Sequence, residues 1–506
     1  LTQQVPTSPL AALAAGDYFA VRAADDPAQL QLALQSYNFD INNRPMSQLR
    51  LGDLLLAKPE LRSRERAIAL LQQSANSGVA EAVMSLAEQE VAFGDPIVGL
   101  NAGLSAAEYS PELSARSAKL VFRTCEAPGQ KCLPVPVLFV TDRALDETTG
   151  LLDFANAKDP ANIVRLGIAY VYIPISAHGS EAILTDIYER FGPGGGNWVF
   201  DNIPEEAERL SLTEWDKYPT ELALSDVDQA AFFAWAKTQG EQQQVPTQRA
   251  LVFIHGFNTN FFDAIRRAAV TAERSGFPGV PIVLSWSSAA DTFAFPADVA
   301  AADLACADFR DPMMQISKAF GPQNVSLVMH SAGNVLGYSM LGNCSDLGLW
   351  TVDGATDQTM IDTAVFAAPA LPESRFRTEF PIINARIGHA ALYVSASDLP
   401  LQAGQVFYNG SVPSWWNERM AGLGGDGRVI LDRLQTIDAS AVESGGVAYG
   451  TFLGHSYIFD RTEVADDLQA LLSGRYDPAQ RGCLQPLTSD AGPYSVVVER
   501  CGLPPN

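Results

Sequence analysis

A serine, an aspartate and a histidine fall where they could carry out acyl transfer. Asn324 to Leu341 reads as a short apolar strand, Val325 to Met329, running through His330-Ser331-Ala332-Gly333 into a helix from Asn334 to Leu341. A serine on such a turn stands clear of the sheet, and the next residue's N–H, here that of Ala332, faces the oxygen on which negative charge develops. Gly333 lets the helix approach the strand, whereas Met329 departs from the pattern, which asks for Gly two residues before the serine. Asp398 sits on the turn Ala396-Ser397-Asp398-Leu399-Pro400 after another strand and could fix a histidine's tautomer and orientation. Asp432 and Asp438 compete for that role, although in the sequence neither follows a clear strand. Among His178, His255, His330, His389 and His455, only His455 lies beyond Asp398. A second oxyanion donor, the Phe257 N–H, is expected from the turn His255-Gly256-Phe257-Asn258, where Gly lets the backbone bend towards a substrate.

The elements that must position these groups come in alternation. Ala250 to Ile254, Val280 to Trp286, Val325 to Met329, Thr363 to Ala367 and Ala390 to Ser395 read as buried strands, with an amphipathic helix over Phe262 to Ser275 and a closing helix over Val464 to Leu472. Continuous apolar strands alternating with helices predict a parallel sheet covered on both faces, and ligands in such sheets bind at the carboxyl ends of the strands. Val137 to Thr141 and Ile168 to Ile175 read as earlier strands, after a boundary at Cys125 to Pro136 broken by Pro128, Gly129, Pro134 and Pro136. The run Gly192 to Gly196 precedes no helix and carries no Lys-Ser/Thr, so it reads as a surface turn rather than a phosphate loop. Residues 1–130 read as helical, with the clearest pair over Arg62 to Ala75 and Val79 to Phe93. The stretch from Ala67 to Ala82 resembles a Sel1-like tetratricopeptide unit, which implies a protein partner or self-association through this region, or a helical cap on the next domain.

A formal charge of −24 disfavours nucleic acid and anionic membrane surfaces as partners, because both demand clustered Lys and Arg. No apolar run is long enough to predict a membrane span. The chain begins at Leu1 without Met, from which an N-terminal piece is expected to have been removed; no signal segment is recognised in what remains. The six cysteines fall into neighbouring pairs, Cys125 with Cys132, Cys306 with Cys344 and Cys483 with Cys501, which predicts three disulfides and a periplasmic or secreted protein. No metal-ligand spacing and no dinucleotide fingerprint is present, so neither metal nor cofactor is expected. His255, Trp286, Phe293 and Phe295 are expected to contact substrate, with Phe257, Phe261, Phe262, Trp415 and Trp416 as further aromatic candidates for an apolar pocket or for core. Ser287 to Asn324 is about three times the dozen residues that a crossover needs. That surplus predicts a cover over the site within Trp286 to Gly321.

The chain order Ser331, Asp398, His455 is that of α/β-hydrolases. Leu251-Val-Phe-Ile-His-Gly-Phe-Asn258, Ala264 to Ala269, Val283-Leu-Ser-Trp286, Met329-His-Ser-Ala-Gly-Asn334, Phe366-Ala-Ala-Pro369, Tyr393 to Asp398 and Gly454-His-Ser-Tyr457 together resemble the DUF900 family of α/β-hydrolases, and Val137 to Arg143 is similar to that family's opening strand. The resemblance implies a mostly parallel, doubly wound α/β-hydrolase sheet over residues 134–475. The all-α, helical-repeat-like region over 1–130 is expected to precede it, and residues 476–506 are expected to form a disulfide-closed extension. It implies a serine hydrolase acting through Ser331, His455 and Asp398. Carboxylic esters, small or polymeric, are the expected substrates; amides, thioesters or an inactive interaction scaffold are the alternatives.

Overall fold

The computed structural model describes residues 8–117, 132–146, 154–174, 207–208, 220–225, 229–242, 249–289, 295–344, 347–349, 358–402, 419–443, 455, 457–498 and 501, with short breaks at 24–25, 40, 42–43, 59–60, 62, 94–95, 108, 111, 114–115 and 278. The N-terminal region is helical: Pro9–Arg22, Pro27–Asn38, Pro45–Ala57, Arg64–Asn76, Ala80–Phe93 and Pro96–Ala107 follow one another. Pro opens the first three, where its missing N–H has no helical partner to lose, and the side chains of Ser8 and Asp26 cap the first two. Leu49, Leu71, Ala82 and Leu86 form one of their small cores. The last of these helices meets the rest of the chain, where Arg267 Nη2 donates to Ser105 Oγ at 3.2 Å.

The strands in chain order are β1 Cys132–Thr141, β2 Arg143–Leu145, β3 Phe154–Lys158, β4 Arg165–Pro174, β5 Ala207–Glu208, β6 Thr220–Ser225, β7 Arg249–Ile254, β8 Gly279–Ser285, β9 Val325–His330, β10 Asn343–Cys344, β11 Gly348–Leu349, β12 Ile361–Ala367, β13 Ile387–Val394, β14 Leu434–Asp438, β15 Leu484–Ser489 and β16 Gly492–Val497. Among the described residues, twelve of them make one sheet in the order β15-β16-β14-β13-β12-β9-β7-β8-β1-β4-β6-β5. Every pairing from β16 through to β1 is parallel, and antiparallel strands flank that block on both sides. Every residue of β8 and β9 is buried, as expected of strands covered on both faces. This mostly parallel sheet with its helices is the architecture expected from the sequence.

Three local features differ from the sequence reading. β1 begins at Cys132 and runs through Pro134 and Pro136, inside the expected break. Among the described residues its first half pairs only with β4, and β8 joins at Leu138, so on the other side of that half no described ladder is there for the prolines to interrupt. Leu434–Asp438 is a strand although three of its five residues are polar, which places Asp438 at a strand end after all. Leu484–Ser489 and Gly492–Val497 form a hairpin that extends the sheet beyond β14.

Cys306 and Cys344 are disulfide-bonded, joining the start of the helix Cys306–Phe320 to the strand after the helix Gly333–Leu341. Cys483 is bonded to Cys501, and Cys125 of the expected Cys125–Cys132 pair lies outside the described residues. The helix Cys306–Phe320 packs against Gly333–Leu341 as a crossover helix, and no helix of the described residues is long and apolar enough to cross a membrane.

Candidate active site

Ser331 follows β9 at the carboxyl edge of the sheet, with the helix Gly333–Leu341 starting two residues later. Its φ is +52°, a left-handed conformation that costs a non-glycine residue on the order of 1–3 kcal/mol and that surrounding bonds must hold. They do so from β12: the Ser331 N–H donates to Ala367 O at 3.0 Å, and the Ala370 N–H donates to Ser331 O at 3.2 Å. Asn334, fully buried, directs Nδ2 at three carbonyls, Met329 O at 3.2 Å, Ser331 O at 3.0 Å and Ala367 O at 3.0 Å. The close approach of turn and strand is made possible by missing side chains. A Cβ at Gly333 would lie 2.5 Å from His255 O, and one at Gly256 would lie 2.9 Å from Ser331 Cβ.

His455 Nε2 is 2.7 Å from Ser331 Oγ, while its Nδ1 is 2.9 Å and 3.0 Å from the two oxygens of Asp398. An ionised carboxylate only accepts, so Nδ1 carries the hydrogen and Nε2 presents a lone pair to the serine hydroxyl. Asp398 lies after β13, fully buried. Burial raises its pKa, opposed by His455 and by the Leu401 N–H that donates to it at 3.0 Å. The competing acids are elsewhere: Asp438 is paired with Arg428 at 3.0 Å and accepts from Gly425 N–H, while Asp432 is exposed.

The turn after β7 brings Phe257 to the same edge. Asn258 takes a φ of +54°, which Asn tolerates better than most residues. Among the described residues no acceptor is bonded to the Phe257 or the Ala332 N–H. His255 and Trp286, expected to touch substrate, are instead buried behind this turn with their rings stacked 5.2 Å apart. Trp286 Nε1 donates to His255 O at 3.0 Å, and His255 Nδ1 donates to Gly256 O at 2.8 Å. Burial, with the Arg143 guanidinium second, holds the His255 pKa down to about 3, so the ring is a neutral prop. Phe295 opens the helix Phe295–Leu304 and meets the Phe257 ring edge to face at 5.1 Å; Phe293, Trp415 and Trp416 lie outside the described residues.

Two residues of the site have no signal of their own in the sequence reading. Asn334 could have been suspected as an amide in the first turn of an apolar helix. His330 is buried, donates through Nε2 to His455 O at 3.3 Å and packs its ring 4.9 Å from that of His455; burial first, then the neighbouring His455, keeps its pKa well below the usual histidine value.

The mostly parallel sheet, with Ser331 on a left-handed turn at its carboxyl edge, fits the α/β-hydrolase fold. Residues 233–475 match DUF900, an alpha/beta hydrolase family of unknown function. The stretch Val137 to Arg143 lies outside the matched residues. No curated protein and no solved structure matches the chain.

Proposed function

We propose that this chain is a serine hydrolase that cleaves carboxylic esters. Ser331 attacks the acyl carbonyl while His455 Nε2 takes its proton, and Asp398 holds Nδ1–H and offsets the charge of the imidazolium. The Phe257 and Ala332 N–H groups receive the oxyanion. As the tetrahedral adduct collapses, His455 returns the proton to the departing alkoxide and an acyl-serine remains. Water, deprotonated by the same nitrogen, then attacks that ester and regenerates Ser331.

The observation that carries this reading is the continuous contact Ser331–His455–Asp398, with a lone pair of Nε2 aimed at the hydroxyl. Esters are preferred over amides because an alkoxide leaves with less protonation than an amine requires. An inactive scaffold was suggested by Met329 alone, and its side chain is accommodated beside Gly337. Phe295, against Phe257, is proposed to meet the acyl group. Export from the cytoplasm is proposed on the two disulfides, and the N-terminal helices are proposed to bind a protein partner or a second copy.

A panel of p-nitrophenyl esters of increasing acyl length tests the proposal. Wild type should hydrolyse some of them, Ser331→Ala none, and Asp398→Asn should lose on the order of 10⁴ in kcat, the loss known for the same change in trypsin. Full turnover by Ser331→Ala would end the proposal.

A further inference from the structure

Thr259 stands two residues beyond Phe257 and anchors the turn through three of its own groups. Its carbonyl accepts from Arg143 Nη2 at 2.7 Å, its N–H donates to Ser288 Oγ at 3.3 Å, and its Oγ1 donates to Phe257 O at 3.1 Å. Ser288 Oγ in turn donates to the buried Asp298 at 2.5 Å. The shortest of the three bonds at Thr259 comes from Arg143, whose side chain is fully buried just beyond the end of β1.

The same guanidinium reaches several segments. Nη1 donates to Ser288 O at 3.2 Å and to Asn156 Oδ1 at 3.2 Å, and Nε donates to Ser285 Oγ at 3.2 Å. It therefore ties the end of β8, the chain after β8 and the turn after β7 into one arrangement. A planar fork with five donors can do this, whereas an ammonium on a flexible stem cannot reproduce the directions. Its charge is also felt at the turn, since it lowers the pKa of the neighbouring His255.

We propose that Arg143 is a positioning residue for the oxyanion turn, fixing Thr259 so that the Phe257 N–H is aimed at the transition state. The inference rests on the reading of Ser331 as nucleophile and Phe257 as oxyanion donor. A residue that only held the fold would lower the fraction of active enzyme, and so kcat, while the folded fraction kept its KM and its Ki for a transition-state analogue. One that aims an oxyanion donor affects the tetrahedral state more than the ground state.

Arg143→Lys and Thr259→Val test this in the full chain, with kcat and KM on an ester that the wild type cleaves and the Ki of a trifluoromethyl ketone, which adds to Ser331 as an oxyanion. Arg143→Lys should lower kcat on the order of 10²-fold, raise Ki by a similar factor and leave KM within about twofold. Thr259→Val should do the same to a smaller extent. Unchanged kcat in folded Arg143→Lys, or a lowered kcat or altered KM with Ki unmoved, would overturn the assignment. If Arg143→Lys does not fold, Thr259→Val decides, and wild-type kcat and Ki in that variant would overturn it. Wild type and Ser331→Ala run alongside separate the two failures: an inert wild type, or an active Ser331→Ala, removes the hydrolase reading and the Arg143 assignment with it.

Discussion

The sulfur of Met329 occupies the place that a side chain at position 337 would need: a Cβ built on Gly337 would collide with Met329 Sδ. An elbow serine usually has a small residue two positions before it, so that the following helix can approach the strand. Here the strand carries the large residue and the helix carries the gap. Met329 is fully buried on β9, so its thioether fills the helix–strand interface that would otherwise be empty.

Gly337→Ala should therefore destabilise the fold by roughly 1–3 kcal/mol through overpacking, and Met329→Ala in the same chain should recover part of that loss. Urea unfolding of the two single variants and the double variant checks it. Strict additivity would mean that the two residues do not share the space.

Asn334→Asp should be more damaging than Asn334→Ala. The amide Nδ2 faces three carbonyl oxygens, and a carboxylate there would set negative charge against all three in a buried site. The aspartate variant is expected to lose several kcal/mol, against about 1–3 kcal/mol for the alanine variant, which only removes one donor from each of those carbonyls. Thermal melts that rank the two the other way would contradict this account of the turn.

Asp142 predicts a pH dependence. Burial raises its carboxyl to about 6 in the fold, with the Arg143 guanidinium opposing, whereas an unfolded Asp titrates near 3.9. Between those values the native state holds a proton that the unfolded chain has released, so the stability contributed by this group is full at low pH and is lost as pH rises through about 6. Asp142→Asn does not titrate. Its unfolding free energy should match wild type near pH 4 and exceed it increasingly up to about pH 7, where the difference levels off on the order of 2–3 kcal/mol. A difference independent of pH would refute the buried-carboxylate explanation.

Much of the sheet and the order of the three site residues were legible because they are local patterns. Val325 to Met329 is an unbroken apolar run that ends in His-Ser-Ala-Gly, and the strands before Phe257 and Asp398 are equally continuous. β14 was not legible, since Leu-Gln-Thr-Ile-Asp is short and draws its stability from neighbours on both sides. β15 was hidden for a related reason: its residues are mostly exposed at the sheet edge and carry no burial pattern. The support of the site was the least readable part. That Arg143 bonds Thr259, 116 positions away, and that His330 bonds the carbonyl of His455, 125 positions away, are consequences of which strands come to lie side by side. His255 and Trp286 were read as substrate contacts because they flank strand ends, yet their rings stack on each other beneath the turn.

The central claim is that Ser331 is a nucleophile activated by His455, and reaction with a fluorophosphonate followed by peptide mapping tests it most directly. Attack by the serine oxygen forms the O–P bond and expels fluoride, so the adduct records which residue reacted. The wild-type chain should be modified on Ser331, and His455→Ala should react slower by several orders of magnitude because no base then accepts the hydroxyl proton. No adduct on Ser331 in folded wild-type protein, or equal rates with and without His455, would contradict the account.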